Sequence, residues 1–316
     1  MKLVVVTVNY GAARHVLHAL EALVPQLEAL GEAEAWVVDN RSPDDSVAVL
    51  RAAIAERGWG GVVRLLESPV NGGFGAGNNL AFRRGLALPS PPEVFYLLNP
   101  DATPDPGAVA AMLDFLERHP EVGVAGGRLR DPDGSTQCST FRFPTLWSEL
   151  EGHAQLAVLS RLLRDRRVHL DPPTREAPVD WVSGASMMIR REVLLRAGLF
   201  DENFFLYFEE VDLCRRVREA GYGIWFVPGA SVEHLSGVTT GVGDRRRRVP
   251  RYWFESRSHY HRKTSGELGL WAYHAVALLG ACLHRLRELV GRKAFEKPHF
   301  VRDLLRTSFL PGGRAP

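Results

Sequence analysis

The sequence predicts an α/β protein with a mostly parallel central sheet, and three observations support this prediction. Short apolar segments alternate with helical stretches over the first 127 residues. The apolar segments are continuous, which is typical of strands covered on both faces of a parallel sheet. Polar side chains follow four successive segments, and in open α/β sheets ligands bind at this carboxyl edge. We therefore expect a ligand site where the strands end.

The elements of the first 127 residues follow from hydrophobic periodicity. Apolar residues at helical spacing from Val16 to Leu27 predict a first helix that is kinked or ended by Pro25. A second helix should begin at Ser42 as its cap, with Pro43 at the first helical position. The other predictions are the strands Leu3–Val8, Trp36–Val38, Val62–Leu66, Val94–Leu98 and Val122–Ala125 and the helices Ala76–Leu88 and Pro106–Arg118.

Beyond residue 127 the regular alternation stops. The region that follows is rich in Pro, Arg and Ser, which favours loops around one helix, Glu149–Leu163. Strands over Val179–Arg190 and Ile224–His234 should flank a helix over Glu209–Ala220. The most apolar stretch, Leu268–Leu283, lies near the end and predicts a C-terminal helical extension.

Composition and charge narrow the class of protein. Apolar residues make up 45% and charged residues 24%, which excludes disorder, collagen and coiled coil. Three widely spaced cysteines do not predict a disulfide framework or a zinc site, and a reducing compartment fits them best. The first residues lack the long apolar region of a signal peptide, so we expect a cytoplasmic protein.

Charge is unevenly distributed along the chain. Residues 236–316 carry 16 Lys and Arg against 6 Asp and Glu, whereas the first 235 residues carry 23 against 31. A basic tail favours an anionic partner: nucleic acid, a lipid surface or a phosphorylated substrate.

The glycine-rich segment after the third strand, residues 71–79, is a candidate phosphate cradle. Backbone N–H groups at a helix N-terminus bind phosphate well. Asn78 stands where a dinucleotide-binding fingerprint requires glycine, and no Gly-Lys-Ser/Thr of a Walker loop follows. The alternative is a tight strand-to-helix turn without a ligand.

Asp101 and His234 are candidate metal ligands, since each follows or ends a predicted strand. A carboxylate at this edge can hold a divalent cation against a diphosphate. The alternatives are a helix cap for Asp101, a role that Asp105 fits better, and a structural histidine.

Three acids, Glu209, Glu210 and Asp212, stand at the start of a predicted helix. The helix dipole stabilises negative charge at a helix N-terminus, and this is the simpler explanation for acids at these positions. However, close acids raise one another's proton affinity, and a carboxylate tuned in this way is a candidate general base.

Together these segments resemble the inverting family 2 glycosyltransferases of the GT-A fold, and within them the bacterial rhamnosyltransferase-like branch. The matching stretches cover most of residues 3–237, and the combination of NGGFGAGNN, LNPD and FEEVDLCRR is specific. The resemblance implies a Rossmann-like, mostly parallel sheet and transfer of a sugar from a dTDP- or UDP-sugar to a glycan or lipid-linked acceptor in cell-surface polysaccharide synthesis. It also implies Mg²⁺ or Mn²⁺ as cofactor.

The resemblance also implies roles for individual residues. Asp101 takes the place of the last acid of the family's metal-binding DxD, Asn99 replaces the first, and His234 is a further ligand. Glu210 matches the position of the catalytic base, with Glu209 as the alternative and Asp212 beside them. The implied donor-binding residues are Thr7, Asn9, Tyr10, Asp39, Asn71, Gly73, Phe74, Asn78, Asn79, Asn99 and Asp101, and the acceptor residues are Trp181, Ser183, Gly184, Arg247 and Arg248.

The implied organisation is a catalytic domain over 1–235 and a C-terminal region over 236–316. The first would divide into a nucleotide-sugar half, 1–127, and an acceptor half, 128–235. Leu268–Leu283 is about sixteen residues long, shorter than the roughly 20 needed to cross a bilayer. With basic residues following it, we expect a helix that lies on the inner face of the cytoplasmic membrane.

Other functions remain as alternatives at this stage. A non-catalytic sugar-nucleotide or glycan-binding module would share the fold, but the intact acids speak against it. An NAD-dependent oxidoreductase would need the glycine fingerprint that Asn78 interrupts. Arg245–Arg248 alone does not predict nucleic-acid binding, because no recognition module accompanies it.

Overall fold

A computed structural model describes residues 2–235, 248–291 and 299–309. These residues form two compact units. Within the described part, the first unit comprises 2–141, 170–205 and 209–235, and the second comprises 142–169, 206–208, 248–291 and 299–309.

The first unit is built around a mixed sheet, and nine strands join it within the described residues. Its order is β3-β2-β1-β4-β10-β6-β11-β5, and β8 pairs with β11. A separate pair is formed by β7 and β9. The strands are β1 (Leu3–Asn9), β2 (Ala33–Asp39), β3 (Val63–Glu67), β4 (Val94–Leu98), β5 (Ala102–Pro104), β6 (Val122–Arg130), β7 (Thr140–Phe141), β8 (Ala177–Pro178), β9 (Trp181–Val182), β10 (Ser186–Arg190) and β11 (Gly223–His234).

The parallel part of the sheet agrees with the sequence-based prediction. Strands β1 to β4 run parallel to one another, and β6 is parallel to β11. β10 is inserted antiparallel between β4 and β6. The inner segment Leu3–Val6 is almost completely buried, as expected for strands covered on both faces.

Helices cover this sheet and make up most of the second unit. Pro25 lies inside the first helix and does not end it. The helices are α1 (Ala13–Leu30), α2 (Ser46–Glu56), α3 (Gly73–Leu86), α4 (Ala108–Arg118), α5 (Leu146–Ala154), α6 (Ala157–Leu162), α7 (Arg191–Ala197), α8 (Glu209–Glu219), α9 (Arg251–Gly291) and α10 (Phe300–Phe309). Helix α9 is broken at Gly266, whose φ of 68° and ψ of −176° are not helical.

Two predicted elements are divided in the structure. The predicted helix Glu149–Leu163 is two helices, because Gln155 adopts a left-handed conformation with φ of 48° and ends α5. The predicted strand Val179–Arg190 is also interrupted. A turn at Ser183, closed by the N–H of Ser186 at 3.4 Å from the carbonyl of Ser183, separates β9 from β10, which belong to different sheets.

Two predicted helix caps are wrong. Helix α2 begins at Ser46, not near Ser42, whose hydroxyl is used in a hydrogen-bond network described below. The carboxylate of Asp105 does not cap α4, because it accepts two hydrogen bonds from Arg130, the shorter at 2.6 Å. A guanidinium is a stronger partner for a carboxylate than a backbone N–H.

The second unit contains a buried polar network between α5 and α9. Arg257 is completely buried and donates to Glu149 Oε2 at 2.6 and 3.1 Å. Burial would raise the pKa of Glu149, but Arg257 and the nearby His153 and His261 lower it well below its usual value. Burial and the nearby Arg257 guanidinium together lower the pKa of His274 to about 4. His274 is therefore neutral at pH 7.

The segment Leu206–Phe208 groups with the second unit although it directly precedes α8. The carbonyl of Leu206 accepts a hydrogen bond from Ser256 Oγ at 3.0 Å, and the ring of Phe208 lies 5.6 Å from that of Tyr260. Tyr207 and Phe208 both have φ of 70°. Left-handed backbone costs of order 1–3 kcal/mol for each non-glycine residue, so these contacts must hold the segment in place.

Candidate active site

Two polar residues end neighbouring strands and begin the site. Asn9 ends β1, Asp39 ends β2, and the two stand opposite each other in the register. Asn9 Nδ2 donates to Asp39 Oδ1 at 2.8 Å, and Asn9 Oδ1 accepts from the N–H of Ala12 at 3.1 Å. Both side chains are almost fully buried, so the structure fixes the orientation of the Asp39 carboxylate.

Ser42 completes this network, a role that the sequence did not reveal. Its backbone N–H donates to Asp39 Oδ2 at 2.9 Å, and its hydroxyl donates to Asp39 Oδ1 at 2.5 Å. Ser42 Oγ also accepts from the N–H of Gly11 at 2.9 Å and from Asn9 Nδ2 at 3.1 Å, so its oxygen is used in this network and does not cap a helix. Thr7 is buried within β1, whereas Tyr10, just beyond the strand, is 46% exposed.

The glycine-rich segment is held mainly by protein contacts. A Cβ on Gly73 would lie 1.7 Å from the carbonyl oxygen of Phe205, so only glycine fits there. The N–H of Phe74 donates to that carbonyl at 3.1 Å, and the N–H of Gly73 donates to Asn71 Oδ1 at 3.1 Å. These two amides are therefore engaged within the protein, and a phosphate cradle in this segment stays a prediction.

Asn40 is a second residue that the predicted set lacked. Its Nδ2 donates to Asn71 Oδ1 at 2.9 Å and to the carbonyl of Gly73 at 3.0 Å. Asn40 Oδ1 is buried and has no hydrogen-bond partner within the described residues. A buried amide oxygen without a partner costs free energy and is suited to accept from a ligand.

Asn78 and Asn79 in α3 have different surroundings. Asn78 Nδ2 donates to the carbonyl of Phe74, and Asn78 Oδ1 is buried and accepts nothing in the described part of the chain. Asn79 is fully buried: its Nδ2 donates to the carbonyl of Phe200 at 2.9 Å, and its Oδ1 accepts from the N–H of Phe200 at 3.0 Å. Asn79 thus holds the loop after α7 in place. Contacts of both asparagines with the sugar nucleotide stay a prediction.

Asp101 and His234 meet beside the end of β4. Asp101 Oδ1 lies 3.5 Å from His234 Nε2, and the side chain of Asn99 lies 3.4 Å from the same nitrogen. Asp101 is 5% exposed, and its Oδ1 accepts no hydrogen bond within the described residues. The sequence predicted that these three residues would meet, and the structure brings them together.

These two residues fit a divalent cation only in part. A buried carboxylate oxygen without a donor and an imidazole nitrogen are suitable ligands for Mg²⁺ or Mn²⁺. Within the described residues no group of three or more His, Cys, Asp and Glu could hold a metal ion. A cation here would therefore need oxygens from a ligand, such as a diphosphate, to complete its coordination.

Glu209 and Glu210 begin α8 and are unusual acids. Glu209 is 2% exposed, and Oε2 of each residue is buried without a hydrogen-bond partner in the described structure. Burial raises the pKa of Glu209 well above its usual value, and the neighbouring Glu210 raises it further. Burial also raises the pKa of Glu210, although the backbone N–H of Gly184 partly offsets this effect. This arrangement suits a proton acceptor.

Asp212 is positioned differently from the two glutamates. Its carboxylate accepts from Arg216 at 2.9 Å, one turn later in α8. Arg216 also donates to the carbonyls of Ala197, Gly198 and Leu199, the last at 2.8 Å. Asp212 thus orients an arginine that closes the end of α7.

The predicted acceptor residues lie in several places. Gly184 approaches the ring of Phe74, since a Cβ on Gly184 would lie 3.0 Å from it, and Ser183 belongs to the same turn. Trp181 stacks on Phe141 at 3.9 Å between ring centroids. In the second unit, Arg248 pairs with Asp303 at 2.6 Å. Arg247 lies outside the described residues.

Comparison with known proteins gives the family. The model of "Glycosyl transferase family 2" matches residues 3–194. The chain is 34% identical over 191 residues to the N-acetylglucosaminyl-diphospho-decaprenol L-rhamnosyltransferase of Mycobacterium tuberculosis (strain CDC 1551 / Oshkosh), covering 57% of this chain and 61% of the relative. It is 26% identical over 167 residues to the rhamnosyltransferase WbbL of Escherichia coli K12, covering 52% and 61%. The match thus spans about six-tenths of the length of each relative.

Among solved structures, the chain is similar to the mannosyltransferase PcManGT of Pyrobaculum calidifontis, which was determined with GDP-Man and Mn2+. The TM-score is 0.60 at 17% identity, and the match covers 97% of this chain and 79% of that one. At this identity the likeness shows the GT-A fold alone. The family match and the fold agree, and the chain belongs to glycosyl transferase family 2.

Proposed function

We propose that this chain is an inverting, cation-dependent glycosyltransferase. It moves rhamnose from a nucleotide diphosphate sugar, dTDP-rhamnose in the first place, to a hydroxyl of a glycan or lipid-linked acceptor in cell-surface polysaccharide synthesis. The observation that carries the proposal is the glutamate pair at the start of α8, where buried carboxylate oxygens lack partners and burial raises both pKa values. The family and the names of its relatives support the donor and acceptor classes.

The donor binds at the carboxyl edge of the parallel strands. Asn9 and Asp39 face the base and ribose, with the Asp39 carboxylate held rigid by Ser42. Asn40 and Asn78 each offer a buried amide oxygen to the sugar nucleotide. In this proposal, residues 1–127 supply the nucleotide-sugar half, and residues 128–235 supply the acceptor half.

Asp101 and His234 would hold Mg²⁺ or Mn²⁺. A bound cation supplies positive charge near the leaving diphosphate and lowers the cost of its departure. Asn99 keeps its amide beside His234 and adds no charge of its own. Because the chain itself offers two ligands there, we expect tight cation binding only when a nucleoside diphosphate is present.

Glu210 acts as the general base. Its Oε2 accepts the proton of the acceptor hydroxyl, while that oxygen attacks the anomeric carbon from the face opposite the diphosphate. The bond to the nucleoside diphosphate breaks in the same displacement, so the configuration inverts. The backbone N–H of Gly184 orients the Glu210 carboxylate. Glu209 lies beside Glu210 and is less exposed. Burial and the charge of Glu210 raise the pKa of Glu209, so the pair favours a single negative charge.

The second unit brings the enzyme to the cytoplasmic face of the membrane. Within the described residues, one helix, α9, is long and apolar enough to cross a bilayer by length and composition. Its second half carries an exposed apolar stripe: Leu268, Trp271, Leu279, Leu286, Leu289 and Val290. The opposite face is buried and includes His274, which contacts Arg257 at 3.2 Å. One apolar face with a polar network behind it favours a helix that lies on a membrane.

Transfer assays with purified full-length protein test the proposal. dTDP-rhamnose and a panel of UDP- and GDP-sugars are offered with Mn²⁺ and a prenyl-diphosphate sugar acceptor, and NMR gives the anomeric configuration of the product. Glu210→Gln should lower transfer about 10²–10⁴-fold and leave donor affinity unchanged, because the amide cannot accept the proton.

Glu192→Gln is the matched control, since Glu192 also stands in the first turn of a helix, α7. It should keep normal turnover. If Glu209→Gln abolishes transfer while Glu210→Gln does not, the base is Glu209. If no sugar nucleotide yields a product, or if the product retains its configuration, the proposed reaction is wrong.

A further inference from the structure

We infer that Gln137 is a positioning residue that fixes the tautomer of His234, so that His234 Nε2 presents a lone pair beside Asp101. The inference rests on the proposed use of Asp101 and His234 as cation ligands. The three residues lie in the first unit, and Gln137 follows a hairpin turn with no role in the proposed reaction so far.

The turn holds the backbone of Gln137 firmly. The N–H of Asp131 donates to the carbonyl of Ser135 at 2.8 Å, and Gly134, with φ of 85°, donates back to the carbonyl of Asp131 at 2.9 Å. The N–H of Gln137 donates to the carbonyl of Leu129 at 2.9 Å. The side chain of Gln137 therefore starts from a fixed point next to the end of β6.

The partners of the Gln137 amide determine which of its ends is nitrogen. Nε2 lies 2.8 Å from Asp131 Oδ1 and 2.6 Å from the carbonyl oxygen of His234. A carboxylate and a carbonyl only accept hydrogen bonds, so the atom between them must be the amino group. The amide cannot be reversed without losing both hydrogen bonds, which leaves Oε1 as the atom that faces the imidazole ring.

This orientation determines the protonation of the imidazole ring. His234 Nδ1 lies 3.1 Å from Gln137 Oε1. Since an amide oxygen only accepts, Nδ1 must carry the hydrogen. In neutral imidazole the other nitrogen, Nε2, then holds the lone pair. That nitrogen lies 3.5 Å from Asp101 Oδ1 and 3.4 Å from Asn99 Nδ2, whose N–H can donate to its lone pair.

Partners of this kind are common around metal-bound histidines. A group that accepts from the second ring nitrogen fixes the tautomer and raises the basicity of the ligating one, and its loss typically costs 10–100-fold in metal affinity. Gln137 has this geometry, with a neutral amide in place of the usual carboxylate or carbonyl.

Two measurements on the metal-free and the Mn²⁺-loaded protein test the inference. Long-range ¹H–¹⁵N correlation spectra of the apoprotein report the His234 tautomer directly, and we expect hydrogen on Nδ1. Gln137→Leu should give a mixture of tautomers and weaken Mn²⁺ binding in the presence of UDP or dTDP by about 10–100-fold, measured by calorimetry.

Gln26→Leu is the matched control, because Gln26 is another part-buried glutamine whose amide bonds to backbone groups of the first unit. It should change neither the tautomer nor Mn²⁺ affinity. Hydrogen on Nε2 in the wild-type apoprotein, or equal Mn²⁺ affinity in Gln137→Leu and Gln26→Leu, would overturn the inference. Transfer by the wild-type enzyme is scored separately, so a failure here leaves the proposed reaction standing.

Discussion

Five buried side chains carry an oxygen that accepts no hydrogen bond in the described structure: Asn40, Asn78, Asp101, Glu209 and Glu210. Each such oxygen costs of order 1–3 kcal/mol when nothing donates to it. Asn40 and Asp101 follow strands, Asn78 lies in α3, and the two glutamates begin α8. A polar substrate that donates to these oxygens would offset this cost.

A single substitution, Asp101→Asn, tests the proposed cation site. The variant keeps the shape of the side chain but loses its charge, so Mn²⁺ should no longer strengthen the binding of UDP or dTDP. We expect the Mn²⁺-dependent gain in affinity to fall by at least about tenfold, measured by calorimetry with and without metal.

Asp133→Asn serves as the control, because Asp133 is exposed at the tip of the hairpin before Gln137. It should keep the full effect of Mn²⁺. An equal gain in the two variants would exclude Asp101 from the cation site.

The sequence pointed to some residues of this candidate site and not to others, and the two groups differ in how the fold positions them. Asn9, Asp39, Asp101 and His234 stand at strand ends, and a local hydrophobic pattern reveals strand ends. Ser42, Asn40 and Gln137 act through partners that are distant in sequence or through loop geometry, and no local pattern marks these contacts. For Asn79 the family motif implied donor binding, whereas its hydrogen bonds to the backbone of Phe200 are non-local and gave no signal in the sequence.

Among the elements, continuous apolar runs located every parallel strand of the first 127 residues. Val94–Leu98 was predicted with its observed bounds, whereas β6 continues to Arg130, beyond the predicted end at Ala125. The helix over Glu209–Ala220 was predicted to within one residue. The boundary between α5 and α6 was missed, since Gln155 gives no sequence signal for its left-handed backbone. Antiparallel insertion of β10 was also not predictable, because pairing partners are set by the whole sheet.

The apolar stripe of α9 gives a prediction at the scale of one element. Its six residues recur at helical spacing over Leu268–Val290, about 33 Å at 1.5 Å per residue. Leu279→Glu with Leu286→Glu places two charges at its centre. In flotation assays with anionic vesicles, the double variant should bind at least about tenfold less than the wild type, because burying each leucine contributes roughly 1.5–3 kcal/mol.

Leu195→Glu is the matched control, since Leu195 is a 65% exposed leucine on α7 in the first unit. It should float with vesicles as the wild type does. Wild-type protein that stays in the soluble fraction with anionic vesicles would exclude membrane binding through this face.

For the whole molecule, the glutamate pair makes stability depend on pH. Burial and Glu210 raise the pKa of Glu209 well above the 4.5 of an unfolded chain. Between these two values the folded protein keeps a proton that the unfolded chain has lost, so the free energy of unfolding falls as pH rises. The loss begins above about pH 4.5 and is complete only above the raised pKa.

Glu209→Gln should therefore stabilise the protein at pH 8 relative to the wild type, because its neutral amide has no proton to lose on folding or unfolding. The difference from the wild type should vanish near pH 4. Urea unfolding at both pH values measures it, with Glu192→Gln as the exposed control, which should change little at either pH. A variant no more stable than the wild type at pH 8 would contradict the raised pKa.

The left-handed segment Leu206–Phe208 has a consequence for the order of biosynthesis. The ribosome releases this segment and the acids of α8 before it makes Ser256 and Tyr260, the residues that hold the segment. Domains fold from the N-terminus as the chain emerges. Until α9 is made, its contacts cannot hold Leu206–Phe208, so Tyr207 and Phe208 can leave the left-handed backbone conformation. We expect the sheet to form early in the nascent chain, and this segment to reach its final conformation only after Ser256 and Tyr260 have left the ribosome.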